Sequence, residues 1–240
     1  QVSALPAADE LRQALPDHFV LWKPRDAVGG DFYWMKPVPG GLLIAVGDCT
    51  GHGVPGALMS IMTVSLLDQI VERADSCEPG RLLEQLNRSI KQTLNQEGKD
   101  GLTDDGLDFG MCLLTGEKLV FAGAGSTLYV HTDEGLDMVE GSKKALGYRR
   151  TAVDQRFDEV VRTIGPNDTL YMLTDGLADQ NGGEKDYSYG KKRWKQWIAD
   201  NWNKPLTEQQ LRLEEELVRY QGSQPQRDDI TVLAFRMPKR

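Results

Sequence analysis

Apolar residues in this chain fall into short runs bounded by glycine, proline and aspartate, a pattern that predicts β-strands. Nine runs qualify: His18–Lys23, Phe32–Met35, Leu42–Gly47, Phe109–Leu114, Leu119–Phe121, Leu128–His131, Arg156–Arg162, Thr169–Leu173 and Ile230–Arg236. The period changes after the third. Behind Pro55, which suits a first helical turn, Ala57, Leu58, Ile61, Met62, Ser65, Leu66 and Gln69 recur at i, i+3 and i+4, with further apolar residues between them. A helix that is apolar nearly all round is expected to be deeply packed. A second helix carries Leu82, Leu83, Leu86, Ile90 and Leu94 on one stripe and stops at Gly98. Toward the C-terminus, Lys191–Trp202 and Thr207–Tyr220 are also helical in pattern, the latter with Leu211, Glu214, Leu217 and Val218 on a narrower face. Helices inserted in two batches between runs of strands predict a sheet-rich α+β sandwich, not the regular alternation of a doubly wound fold.

The chain has 240 residues, enough for a full-sized core, with no repeat and no low-complexity tract. One domain over residues 17–240 is expected. Residues 1–16, polar and Ala-rich and running into Pro16, read as the remnant of a helical linker from a longer protein. No window approaches eighteen uninterrupted apolar residues, and the first residues lack the basic start and apolar run of a signal peptide. Lys and Arg total 28 against 36 Asp and Glu, a formal charge of −8. That balance argues against a general nucleic-acid or anionic-membrane binder. Cys49, Cys77 and Cys112 lie far apart and odd in number, which fits a reducing compartment and neither a disulfide framework nor a zinc site.

Carboxylates in surplus can be surface or chemistry, and their positions decide which. Asp31 follows Val28-Gly29-Gly30 and opens a strand, while Asp48 closes the run Leu42 to Gly47. Asp175 closes Leu170 to Thr174, and Asp228 and Asp229 open the last strand. Each alone is ordinary turn chemistry. Together they point to oxygen ligands for a hard divalent ion. The segment Gly47-Asp48-Cys49-Thr50-Gly51-His52-Gly53-Val54-Pro55-Gly56 is denser in glycine than a strand-to-helix connection requires. It is no phosphate loop, because Ala57 and Leu58 follow its last glycine where Lys and Ser or Thr are needed. The stretch Asp100 to Asp108 fails as a calcium loop, since Leu102 or Gly106 falls at the third position, and is expected to be an exposed loop. There is no GxSxG, and His18, His52 and His131 have no evident nucleophile partner.

Gly29-Gly30-Asp31-Phe32-Tyr33, Gly47-Asp48-Cys49-Thr50-Gly51-His52-Gly53, Thr174-Asp175-Gly176 and Arg227-Asp228-Asp229-Ile230-Thr231 occur in the order and approximate spacing of the metal-dependent protein phosphatases, the PPM or protein phosphatase 2C type. The sequence resembles their bacterial sporulation and stress branch, and its wording DCTGHGVPGALMS resembles the SiaA-like subgroup. The resemblance runs from about Phe19 to Phe235. It implies a four-layer α-β-β-α sandwich of two antiparallel sheets flanked by helices. It also implies two Mn²⁺ or Mg²⁺ ions, bridged by Asp48 and completed by Asp31, the Cys49 carbonyl, Asp175 and Asp228. Asp229 takes a supporting role, and Asp105 or Asp108 is the candidate ligand for a third ion.

The implied reaction is hydrolysis of phosphoserine or phosphothreonine by hydroxide held between the ions, with no covalent phosphoenzyme. Asp48 and His52 are the catalytic candidates. His52 is either an acid toward the leaving alkoxide or a residue that caps or positions the Gly-rich turn. The implied partner is a phosphorylated regulatory protein of the anti-sigma-factor-antagonist type. An upstream sensor or membrane region is implied as well, with this domain on the cytoplasmic side, and homodimerisation is left open. Two departures stand out: Trp34 occupies a position where relatives carry a second acid, and no arginine is in register to grip phosphate. The basic, aromatic stretch Gln180–Asn203 is either a flap that docks a phosphoprotein or a helix whose tryptophans pack on the core. The competing functions are a catalytically silent sensor or scaffold, and a two-metal phosphodiesterase or nuclease, which the acidic balance disfavours.

Overall fold

The computed structural model describes residues 1–98 and 103–237. A short 3-10 turn at Val2–Ala4 leads into helix α1 (Ala8–Ala14) and strands β1 (His18–Lys23), β2 (Asp31–Val38) and β3 (Gly41–Cys49). Helices α2 (Gly53–Arg73) and α3 (Pro79–Thr93) come next. Strands β4 (Leu107–Thr115), β5 (Lys118–Ala124), β6 (Thr127–Thr132), β7 (Gly135–Glu140), β8 (Glu159–Thr163) and β9 (Thr169–Leu173) follow. The remainder is a single turn α4 (Gly176–Asp179), a ribbon of β10 (Asn181–Gly182) and β11 (Tyr187–Ser188), helices α5 (Gly190–Asn201) and α6 (Leu206–Gln221), and β12 (Ile230–Arg236).

All the strand pairs are antiparallel. They build two five-stranded sheets, ordered β1-β12-β9-β6-β7 and β2-β3-β4-β5-β8. Strand β3 shows how the layers arise. Its side chains alternate in direction, so Leu43 and Ala45 pack under α2 and α3 while Ile44 and Val46 face the other sheet. Both faces are covered, and a strand buried twice reads as an unbroken apolar run. Between the sheets Ile44, Val46 and Cys112 meet Met172, Leu233 and Phe235, with Leu11 and Leu15 of the N-terminal segment in the same cluster. On the far side Phe19, Tyr129 and Tyr171 pack under α5 and α6, joined by Trp194, Trp197, Leu213 and Leu217. This is the four-layer α-β-β-α sandwich.

Every predicted strand is present, although the run from Arg156 pairs only from Glu159. Strand β7 and the β10–β11 ribbon escape the pattern, because β7 is a sheet-edge strand largely open to water and the ribbon has two residues per strand. Two packing expectations are corrected. Helix α2 is not buried all round: Val54, Leu58 and Ile61 are exposed, since one sheet and α3 cover only part of its circumference. Helix α6 buries Leu206, Gln209, Leu213 and Leu217, which leaves Leu211 and Val218 turned outward about half a turn away from that stripe. The tryptophans of Gln180–Asn203 take the core option, Trp194 and Trp197 of α5 being buried against the sheet.

Candidate active site

Strand register assembles the aspartates. Asp31 of β2 lies opposite Asp48 of β3, and Asp48 lies opposite Asp108 of β4. Residues opposite one another on neighbouring strands put their side chains on the same face, about 5 Å apart. Asp48 has the parity of Ile44 and Val46, so this face is the one between the sheets. The other sheet delivers Asp175 from the end of β9 and Asp228 from just before β12. Asp48, Asp108 and Asp175 line a cavity of about 80 Å³ together with Ser126, Tyr129 and Trp194. The apolar inter-sheet core thus ends in a bank of acids.

Burial is graded across it. Asp31 is 1% exposed, Asp48 is half-buried, and Asp108 and Asp175 stand at the open mouth. Burial pushes the Asp31 carboxyl up to about 7; hydroxyl donation from Thr174 and Thr231 opposes the rise, and the charges of Asp229 and Asp228 add to it. Both hydroxyls reach Asp31 Oδ2 at 2.7 Å. Asp48 is driven well above the usual carboxylate range by burial, then by Asp31, Asp175, Asp228 and Asp108. Asp108 rises through partial desolvation and Asp175, with Arg150 and Lys191 holding it back. Asp175 rises through desolvation, then Asp179 and Asp228, against a hydrogen bond with Asp48 and the charge of Lys191.

Such a set of hard oxygen donors suppressing one another's ionisation suits a divalent cation, which would relieve the repulsion. The Cys49 carbonyl lies alongside: a side chain at Gly30 would come within 2.8 Å of it. Among the described residues no three His, Cys, Asp or Glu side chains stand together as a ligand group. Three of the aspartates are engaged by hydrogen bonds within the protein. Asp31 is engaged by its threonines, and Asp228 Oδ1 accepts the N–H of Asp229 at 2.9 Å. Asp229 is spent on backbone, accepting from Arg25 N at 2.7 Å and Gly30 N at 2.6 Å. It therefore ties the glycine loop before Asp31 to the start of β12.

The glycine-dense segment is explained by backbone contact. A side chain at Gly56 would collide with the Gly51 carbonyl and with Gly30, so the first turn of α2 and two loops meet where only hydrogen atoms fit. His52 precedes α2 outside the cavity wall; its Nδ1 lies 3.0 Å from Asp26 Oδ2. Of the two third-ion candidates, Asp108 lines the cavity, whereas Asp105 is bound through its backbone to Gln96 and does not. Asp100 lies outside the described residues. Thr174, Thr231 and Asp26 were missed at the sequence level. The threonines sit inside the Thr-Asp-Gly and Asp-Asp-Ile-Thr motifs and were open to notice, but nothing local marks Asp26.

The two-sheet sandwich with acids at one end of its core is the protein phosphatase 2C fold. The chain belongs to the stage II sporulation protein E (SpoIIE) family, whose pattern matches residues 39–238. Among solved structures it is similar to the SiaA-PP2C domain of Pseudomonas aeruginosa, with 35% identity and a TM-score of 0.89 over 99% of this chain and 92% of that one. The PP2C phosphatase domain of SpoIIE from Bacillus subtilis, with a fragment of its regulatory domain, aligns at 22% identity and TM-score 0.71 over 92% of this chain and 63% of that one. The catalytic domain of the serine threonine protein phosphatase PstP, solved in complex with two manganese ions, aligns at 16% and 0.63 over 92% and 98%. No curated protein sequence matches.

Proposed function

We propose that this domain is a metal-dependent phosphatase that removes phosphate from phosphoserine or phosphothreonine on a regulatory partner protein of the anti-sigma-factor-antagonist type. The observation that carries this reading is the Asp31–Asp48–Asp108 ladder, faced by Asp175 and Asp228 from the second sheet. Asp31, Asp48, the Cys49 carbonyl, Asp175 and Asp228 would hold two Mn²⁺ or Mg²⁺ ions, with Asp48, central in the ladder, shared between them. Asp108 is the better candidate for a third. The bound ions supply Lewis acidity, lowering the pKa of coordinated water and neutralising phosphoryl oxygens.

The rest is the work of the chain's own groups. Thr174 and Thr231 orient the Asp31 carboxylate, and Asp229 holds the glycine loop that sets its position. His52, its Nδ1 steadied by Asp26, donates a proton through Nε2 to the departing serine or threonine oxygen. The test is phosphate release from phosphorylated candidate antagonists, with and without Mn²⁺, by wild type, Asp48→Ala and Asp175→Ala. Metal-dependent release lost in both variants is expected. Full activity in both would overturn the proposal, and stoichiometric partner binding without turnover by the wild type would make the domain a silent scaffold.

A further inference from the structure

The wall of the carboxylate cavity contains one cationic side chain among the described residues, Lys191. It rises from the first turn of α5, immediately after Gly190, whose φ of +77° lets the chain turn into the helix. Its root is rigid. Trp194, one turn on, is 1% exposed and lines the same cavity, with its indole edge-on to Tyr171 at 5.6 Å and to Tyr129 at 6.2 Å. The ammonium end is uncommitted, forming no hydrogen bond or ion pair among the described residues.

Neighbouring cations are otherwise occupied. Arg25 donates to the Arg227 carbonyl and pairs with Asp26, and Arg193 donates to the Ser188 and Tyr189 carbonyls and covers the Tyr220 ring. Arg150 lies over the Tyr148 ring, 5.2 Å from its centre. Lys192, the next residue, is not in the cavity wall.

A free ammonium beside acids that are to hold divalent cations is a standing cost, because it repels the ions. The cost is offset when a third party of opposite charge sits between them, and a phosphomonoester dianion is such a group. Resting on the phosphatase reading above, we propose that Lys191 is a substrate-binding residue that grips a phosphoryl oxygen of the phosphoserine or phosphothreonine, in the role that no arginine of this chain is in register to fill. Lysine acts there as a flexible point charge without the fixed fork of arginine. It therefore favours the doubly charged monoester over a singly charged diester.

The test uses Lys191→Ala and Lys191→Arg, with Lys192→Ala as the control at an adjacent exposed position. For Lys191→Ala, KM for a phosphopeptide and the dissociation constant of inorganic phosphate on the Mn²⁺-loaded protein are each expected to rise about tenfold, with kcat within about twofold. Lys191→Arg should recover most of the loss, and Lys192→Ala should match wild type. Inorganic phosphate binding is read by calorimetry, independently of turnover. Unchanged phosphate affinity in Lys191→Ala, or a fall in kcat at constant KM, overturns the assignment while leaving the phosphatase reading intact. Lys191-dependent phosphate binding by a wild type that hydrolyses no phosphopeptide would sink the phosphatase reading and keep the assignment.

Discussion

Two sets of buried polar groups flank the loop at Thr103–Gly106, and they solve the burial problem in opposite ways. On one side Asp31 and Asp48 are desolvated among like charges, Asp229 and Asp228 adding to the rise at Asp31 and Asp31 to the rise at Asp48. On the other side Lys91, 1% exposed, donates to the Tyr148 carbonyl at 2.7 Å, Gln96 donates to the Asp105 and Gly147 carbonyls, and Asn87 Oδ1 accepts from Gly147 N. The second set is complete in itself and pins the segment around Tyr148 onto α3. The first keeps its like charges together, and a bound cation would relieve them. The two are joined through Thr50, which donates to Tyr148 Oη at 2.8 Å and follows Asp48 by two residues. A fold that leaves charge repulsion unrelieved at one place while satisfying polar groups next door marks the first place as the site.

That contrast breaks most sharply at Asp48. Replacing it with alanine should cut phosphate release by on the order of 10³-fold or more, as removal of a central catalytic group does. The metal-free protein should be no less stable, since one repelling charge is gone, and chemical denaturation checks this. An active Asp48→Ala protein, or one that unfolds, would erase the distinction between the two sets.

Next in size is the pH dependence of the metal-free protein. Asp31 has a folded pKa of about 7, above its ordinary 3.8, so the folded state binds this proton more tightly than the unfolded chain. Its stabilising contribution is therefore full below about 4 and is lost as pH rises through about 7. Calorimetry should show the melting temperature of metal-free wild type falling over that range. The fall should be shallower in Asp31→Asn and be offset by saturating Mn²⁺. A melting temperature that rises with pH would contradict the account.

His52 tests how far the acid bank extends. His52→Gln should lower kcat by roughly a hundredfold if the imidazole protonates the leaving group, with activity on an aryl phosphate, whose phenolate leaves unaided, nearly spared. Equal losses on both substrates would assign it instead to bracing the Gly-rich turn. The smallest effect belongs to the satisfied set. Lys91→Met keeps the buried stem but strips a donor from the Tyr148 carbonyl, and should cost about 1–3 kcal/mol in denaturant titration while leaving kcat of the folded fraction near wild type.

The layers and most elements were legible in the chain because strands buried on both faces read as short unbroken apolar runs between turn residues, and α3 carries a clear apolar stripe. The pattern could not reveal that α2 leaves Val54, Leu58 and Ile61 in water, since an apolar residue does not say which neighbour will cover it. Residue types and spacing alone determined that a few aspartates at strand edges, amid glycine, were candidates for hard-metal chemistry. Tertiary structure decided the rest. Register placed Asp31, Asp48 and Asp108 side by side, sheet packing brought Asp175 across from them, and α5 carried Lys191 into their cavity from a distant stretch of sequence. Separations of tens to hundreds of residues collapse to a few ångströms only when strands pair and sheets stack, and desolvation and repulsion, the forces that define this site, act over those few ångströms.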